Sequence, residues 1–128
     1  MPVSISGSTG ITATTGSIND SLGNIRRVTV NNQTAAYELT ANDVGQTISI
    51  TTGGVYVPNT IFTAGDNVVI YNNSNSSQTI TPNSGVVMFE AGNTSYGGGT
   101  RTIGGRCLAT VYCVAANSFI ISGVGLTA

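Results

Sequence analysis

The chain contains no histidine, lysine or tryptophan, and only 7% of its 128 residues are charged. Typical soluble proteins carry about 25% charged residues. Without histidine, neither a Ser-His-Asp triad nor a histidine-activated cysteine can form. The five carboxylates are scattered singly along the chain, so the sequence indicates no carboxylate pair for general acid–base chemistry. We therefore predict that the protein is not an enzyme and has no catalytic residues.

Basic charge is also scarce. The four cations are arginines and the formal net charge is −1, whereas contacts to a nucleic-acid backbone or an anionic membrane surface require clustered basic residues. No apolar run approaches the roughly 20 residues that span a bilayer. The first ten residues have neither the basic nor the apolar region of a secretory signal. We expect no nucleic-acid or membrane partner, and maturation in a cytoplasm.

Two stretches, one polar and one rich in glycine, have the composition of ligand-binding loops but lack the residues that such loops need. The stretch from Gly97 to Arg101 lacks the Lys-Ser/Thr ending of a phosphate-binding loop. The loop over residues 72–77 offers oxygen atoms, but Asp66 is the only nearby carboxylate, which is too little charge for tight calcium binding. We predict no cofactor and no metal site.

The shortage of charge has a consequence for the surface. A protein with little net charge tends to self-associate. One interpretation is a solvated surface of Thr, Ser and Asn, and the other is a surface that partner subunits cover, where unpaired charges would be costly. We favour the second interpretation and predict a homo-oligomer.

The two cysteines, Cys107 and Cys113, lie in the segment RCLATVYCVA, which is typical of one strand. Their even separation places both on one face of that strand. Six residues of strand span about 20 Å, whereas a disulfide requires Cα atoms within about 7 Å. We predict two free, buried thiols.

Residues 1–25 differ from the rest of the chain. They are rich in Ser, Thr and Gly, and their apolar residues are isolated from one another, as at Val3, Ile5, Ile11, Ile18 and Leu22. No helical period is sustained. We interpret this segment as an extended assembly arm that contacts a neighbouring subunit, and residues 26–128 as the β domain.

The β domain consists of short segments rich in β-branched residues, separated by turn residues. This pattern favours a small antiparallel sandwich or barrel of about 8–10 short strands. The single helical candidate is one turn in TANDVGQT, where Asp43 can bond backbone amides and Gly45 can adopt a positive φ. Pro58 is expected to end its strand because it has no N–H.

A series of short motifs runs through residues 36–123. It comprises Tyr-x-Leu and Asp-x-Gly, then Val-x-Val-Pro-Asn, then a Phe and Gly-Asp before a strand, then Thr-Ile and Ser-Gly-Val, and finally Ala-Thr-Val and Ile-Ser-Gly. These are Tyr37, Leu39, Asp43, Gly45, Val55, Val57, Pro58, Asn59, Phe62, Gly65, Asp66, Thr79, Ile80, Ser84, Gly85, Val86, Ala109, Thr110, Val111, Ile121, Ser122 and Gly123. In order and spacing, the series resembles the β-rich terminal module of bacteriophage tail-fibre, head-fibre and capsid-decoration (cement) proteins.

The resemblance implies a virion structural protein made in the bacterial host cytoplasm. Our leading interpretation is a capsid decoration protein that forms a homo-oligomer, with a trimer favoured, and binds the major capsid protein or another virion protein. Arg101 and Arg106 are either solvated or form ion pairs with an acidic partner or with Glu90 across a subunit interface. We assign them to the predicted partner interface together with Val3, Ile5, Ile11, Ile18 and Leu22.

Two alternatives remain open. A tail- or head-fibre tip that binds a host surface glycan would need exposed aromatic residues on loops, and Tyr56, Tyr71, Tyr96 and Tyr112 are the candidates. A non-viral self-assembling surface or adhesin module is favoured only by the low charge and the threonine content.

Overall fold

The computed structural model describes residues 18–21, 23–25, 27–94 and 98–128. These residues form one short 3-10 helix, η1 (Ala41–Asp43), and thirteen strands. The strands are β1 (Asn19–Asp20), β2 (Gly23–Asn24), β3 (Val30–Gln33), β4 (Tyr37–Glu38), β5 (Thr47–Ile50), β6 (Val55–Val57), β7 (Asn67–Asn72), β8 (Gln78–Pro82), β9 (Val87–Glu90), β10 (Arg101–Ile103), β11 (Leu108–Ala115), β12 (Ser118–Gly123) and β13 (Leu126–Thr127). The predicted all-β fold is confirmed.

The strands form two main sheets. One has six strands in the order β3-β5-β7-β11-β12-β9, and the other has five in the order β13-β10-β8-β6-β4, while β1 and β2 pair only with each other. Five of the ten strand pairings are parallel. The structure therefore corrects the predicted antiparallel arrangement of about 8–10 strands: the sheets are mixed, and several of the thirteen strands have only two residues.

The parallel pairings follow from the way the chain winds. From β3 to β8 it alternates between the six-stranded and the five-stranded sheet, so that each strand lies beside the strand two positions earlier. This winding builds three turns of a flattened, two-sheet coil. The antiparallel hairpin β11–β12 then pairs with the last of these turns through β7.

Alternate residues from both sheets form one core between them. Ile48, Ile70 and Val111 of the six-stranded sheet and Val55 and Ile80 of the five-stranded sheet are each at most 2% exposed. Each fully buried aliphatic side chain contributes roughly 1.5–3 kcal/mol.

Glycine is required where successive turns of the coil approach most closely. Gly53 and Gly54 join β5 to β6, both with positive φ, at 89° and 73°. A Cβ on Gly53 would lie only 2.2 Å from the backbone nitrogen of Ala36 in the preceding turn. A larger residue there would force the first two turns apart.

Several local predictions are confirmed. The helical turn is η1, Gly45 has a φ of 75°, and β6 ends at the residue before Pro58. Both thiols are free and both side chains contact the same core. The prediction of two buried thiols in one strand is correct for Cys113 and wrong for Cys107, which precedes β11 and is half-buried. Burial raises the pKa of the Cys113 thiol, with a further contribution from the charge of Asp66. Among the described residues, no helix is long and apolar enough to cross a membrane.

Candidate interaction surfaces

The outer face of the six-stranded sheet is unusually apolar. Its outward-facing positions include nine apolar or aromatic side chains, all exposed or half-buried, namely Val30, Val69, Tyr71, Val87, Phe89, Leu108, Tyr112, Val114 and Ile120. Uncharged polar side chains, among them Thr47, Asn67, Thr110 and Ser118, lie between them. Five of them expose more than 40% of their surface: Val30, Val87, Leu108, Tyr112 and Val114. We call this surface the apolar face.

Strand register brings side chains of the apolar face together in groups. Tyr112 lies opposite Ile120 across β11 and β12, and Ile120 lies opposite Phe89 of β9. Leu108 lies opposite Tyr71 of β7. Side chains directly opposite each other on neighbouring strands are in contact range, so one apolar group extends across β11, β12 and β9 and another across β11 and β7.

Charge is missing from the apolar face. Among the described residues of these six strands, no outward-facing side chain is charged. The one carboxylate in the strands, that of Glu90, is half-buried and bonds to the fully buried Arg101. Contiguous exposed apolar surface of this kind marks protein–protein contact sites in soluble proteins.

The outer face of the five-stranded sheet is different, and we call it the threonine face. Thr79, Thr102 and Thr127 form a row across β8, β10 and β13. The neighbouring row across β4, β6 and β8 is Glu38, the half-buried Tyr56 and Thr81. The carboxylate of Glu38 accepts a hydrogen bond from Asn83 at 2.7 Å. This face presents hydroxyl groups and charge to solvent.

Arg101 lies inside the subunit. Its side chain is fully buried, and its Nε donates to Glu90 Oε2 at 3.2 Å while Nη1 donates to the carbonyl of Thr100 at 3.0 Å. Glu90 belongs to the six-stranded sheet and Arg101 to the five-stranded sheet. The Glu90 pair expected from the sequence is therefore present, but within one chain, where it joins the two sheets.

Arg106 has a local role in the described structure. It is exposed, with a φ of 60°, and it donates to Asn73 at 2.6 Å and to Asn75 at 3.2 Å. The same polar loop is held by the buried Asn72, whose amide donates to the carbonyls of Ser76, Ile103 and Gly104. These bonds account for the conformation of the loop without a bound ion.

The predicted arm falls mostly outside the described residues, as do Val3, Ile5, Ile11 and Leu22. Ile18 is half-buried, and its carbonyl accepts a hydrogen bond from the Ile25 amide at 3.0 Å. The strands β1 and β2 between them make this part of the predicted arm a short hairpin.

A polar network closes the end of the sandwich beside the edge strands β3 and β4. Asp43 is 2% exposed; its carboxylate accepts from Tyr37 Oη at 2.9 Å, Thr40 N at 2.7 Å and Asn31 Nδ2 at 3.1 Å. Asn31 also donates to Tyr37 Oη at 3.0 Å and accepts from Gln33 at 2.8 Å. Burial raises the pKa of Tyr37, and its hydrogen bond to the Asp43 carboxylate raises it further.

The apolar face had a detectable signal in the sequence that our site prediction did not use. A strand with one solvated face alternates between apolar and polar residues, whereas a strand covered on both faces is apolar throughout. The segments VVIY, VVMF, LATVYCV and FII are apolar at both parities. The polar network had no such signal, because it depends on which strands meet at the sandwich end.

Comparison of the chain with protein-family models, with curated proteins and with solved structures found no match.

Proposed function

We propose that this protein is a virion structural protein, specifically a capsid decoration protein that oligomerises on the shell and stabilises it through contacts between subunits. The observation that carries the proposal is the uncharged apolar face. A monomer in water gains nothing from nine apolar side chains on one sheet face, whereas a subunit whose face is covered gains roughly 25 cal/mol for each Å² of apolar surface buried.

The edges of the sheets offer a second mode of contact. β3 ends the six-stranded sheet on one side, and β4 and β13 end the five-stranded sheet. The outer side of β9 is already contacted within the chain, because the Gly99 amide donates to the Met88 carbonyl at 3.0 Å. Edge strands have unpaired backbone N–H and C=O groups that another chain can bind by strand addition. An arm with isolated apolar residues, such as residues 1–25, suits that mode because it needs backbone hydrogen bonds more than side-chain burial.

The fibre-tip alternative has less support from the aromatic residues that suggested it. Tyr56, Tyr71 and Tyr112 lie within strands β6, β7 and β11 and not on loops, and Tyr96 lies outside the described residues. Tyr71 and Tyr112 are part of the apolar face, which favours contact with protein.

The direct experiment is to locate the chain in purified phage particles by mass spectrometry and cryo-electron microscopy. We expect density for the β domain on the outer capsid surface, arranged as oligomers with the apolar face covered. Absence of the chain from particles, or its presence only as isolated monomers with the apolar face in solvent, would contradict the proposal.

The role of the arm is tested separately by deleting residues 2–17 and adding the purified protein to undecorated particles. We expect the truncated protein to attach at least about tenfold more weakly than the full chain, a loss of about 1.4 kcal/mol. Undiminished attachment would show that the arm is not an anchor, while leaving the role of the apolar face open to its own test.

A further inference from the structure

An open cleft of about 630 Å³ lies at the sandwich end that the Asp43 network closes. Its described lining comes from β3 and the residue before it, from β4, from the segment around η1 and from the turn between β1 and β2. These residues are Ser21, Thr29, Asn31, Tyr37, Thr40, Asn42, Asp43 and Gln46. The cleft volume lies within the range of about 300–1,000 Å³ that is usual for small-molecule sites.

The inner wall of the cleft is rigid. Tyr37 and Asn31 are each held by hydrogen bonds to the buried Asp43 carboxylate and to each other. Thr40 is fixed by the bond from its own backbone amide to Asp43 at 2.7 Å. A wall held in place in this way lowers the ordering cost of binding a ligand.

Two side-chain amides that line the cleft are available to a ligand. Asn42 is exposed and Gln46 is half-buried, and neither carboxamide makes a hydrogen bond to the part of the chain that the structure describes. Each carboxamide provides an acceptor oxygen beside two N–H donors. That combination can bond two neighbouring hydroxyl groups of one ligand.

The lining restricts the chemistry of the ligand. Within the described residues no arginine lines the cleft, so phosphate, sulfate or carboxylate groups would find no counter-charge. The carboxylate in the described lining, that of Asp43, is buried and already accepts several hydrogen bonds, so it is not free to pair with a ligand cation. The remaining groups are hydroxyls, amides and the half-buried ring of Tyr37, which do not suit a lipid.

We propose that this cleft binds a neutral saccharide of one or two sugar units. The Asn42 and Gln46 carboxamides bond the sugar hydroxyls, and the Tyr37 ring contacts the apolar face of the sugar. The Thr40 hydroxyl already donates to Asp43 at 3.1 Å, so it serves the sugar as an acceptor. The proposal is independent of the capsid role, because the cleft and the apolar face share none of these residues.

The test is ligand-observed saturation-transfer NMR on the full chain. The neutral probes are the methyl glycosides of glucose, galactose and mannose together with N-acetylglucosamine, and the anionic probe is N-acetylneuraminic acid. We expect at least one neutral probe to bind with a dissociation constant of about 1 mM or below, and the anionic probe not to bind.

Substitutions assign the binding to the cleft. Asn42→Ala and Gln46→Ala each remove one carboxamide. Each should raise the dissociation constant of the neutral probe about fivefold, as expected for a lost hydrogen bond. Asn32→Ala is the matched control, because Asn32 is an exposed amide on the same strand as Asn31 but faces away from the core side. It should leave binding unchanged.

Three results would overturn the proposal: no binding of any neutral probe at tens of millimolar, equal binding by the Asn42→Ala, Gln46→Ala and Asn32→Ala variants, or equal binding of the anionic probe. Binding of a synthetic peptide of residues 1–17 in the cleft, without saccharide binding, would also overturn it and identify the arm as the occupant. The oligomeric state of each variant, measured by light scattering, shows separately whether assembly has changed.

Discussion

The two outer faces of this sandwich are built from the same kind of strand but carry opposite chemistry. The threonine face has a hydroxyl row at Thr79, Thr102 and Thr127, whereas the apolar face has Tyr112, Ile120 and Phe89 in the equivalent arrangement. Both faces cover the same core, so core burial cannot explain the difference. The proposed assembly accounts for the difference, because in it water covers the threonine face and a neighbouring protein covers the apolar face.

The ion pair with Arg101 of the five-stranded sheet holds the carboxylate of Glu90, the one carboxylate in the described strands of the six-stranded sheet, on the side away from the apolar face. Replacing Glu90 with Ala leaves the Arg101 guanidinium buried without its carboxylate. We expect a loss of about 2–4 kcal/mol in the free energy of unfolding, somewhat below the range for a fully buried pair because Glu90 is 31% exposed. Denaturant unfolding measures this loss.

The control for that experiment is the double variant Glu90→Ala, Arg101→Met, which removes both charges and keeps an apolar side chain of similar length. It should recover most of the lost stability, because apolar replacements of buried ion pairs are often neutral. A double variant as unstable as Glu90→Ala alone would show that packing, and not the unpaired charge, causes the loss.

The next largest loss of stability is expected when the polar network at the sandwich end is disrupted. Tyr37→Phe removes the hydroxyl that donates to the buried Asp43 carboxylate at 2.9 Å. We expect a loss of about 1–2 kcal/mol in unfolding free energy at neutral pH, measured by denaturant unfolding. A Tyr37→Phe variant as stable as wild type would mean that the network does not rigidify this end of the sandwich.

Alkaline pH tests the same network in the wild-type chain. The pKa of Tyr37 is raised in the folded state, so above about pH 10 the unfolded chain releases a proton that the folded chain retains. Stability is therefore fully present below that pH and is lost as the pH rises through the folded-state pKa. Cys113 acts in the same direction from about pH 9. Tyr37→Phe should show a shallower alkaline loss than wild type, and an identical slope would exclude Tyr37 as its source.

Substitutions on the threonine face are expected to have the smallest effect on stability and on self-association. Thr127→Val changes an exposed hydroxyl to a methyl group, and the free energy of unfolding should change by no more than about 0.5 kcal/mol. Self-association, measured by sedimentation, should not change. A clear gain in association would show that any apolar residue on either face promotes contact, and the distinction between the faces would lose its meaning.

Local chemistry explains why the strand positions were predictable. Gly45, Pro58 and the Gly53–Gly54 turn end elements through backbone restrictions that each residue carries with it. The winding of the chain was not predictable in the same way, because turn residues do not determine which of the two sheets the next strand joins. The parallel pairing of β3 with β5, with Val30 opposite Thr47, is an example.

The position of Arg101 was partly predictable. It alternates with Ile103 in one strand, so the two side chains share a face, and Ile103 is fully buried. An arginine is rarely fully buried without a charged partner, and the partner here is the Glu90 carboxylate at 3.2 Å. The contact between β9 and β10 could not be predicted from the sequence, because the two strands belong to different sheets.

The measurement that decides between a solvated and a covered apolar face is the self-association constant by analytical ultracentrifugation. Tyr112→Lys places a charge at the centre of the apolar face, and Thr79→Lys places the same charge on the threonine face. We expect wild type and Thr79→Lys to form the same oligomer, and Tyr112→Lys to be monomeric or at least about 100-fold weaker, a cost of about 2.7 kcal/mol. A wild-type monomer at high concentration, or equal association of the two lysine variants, would contradict assembly through the apolar face.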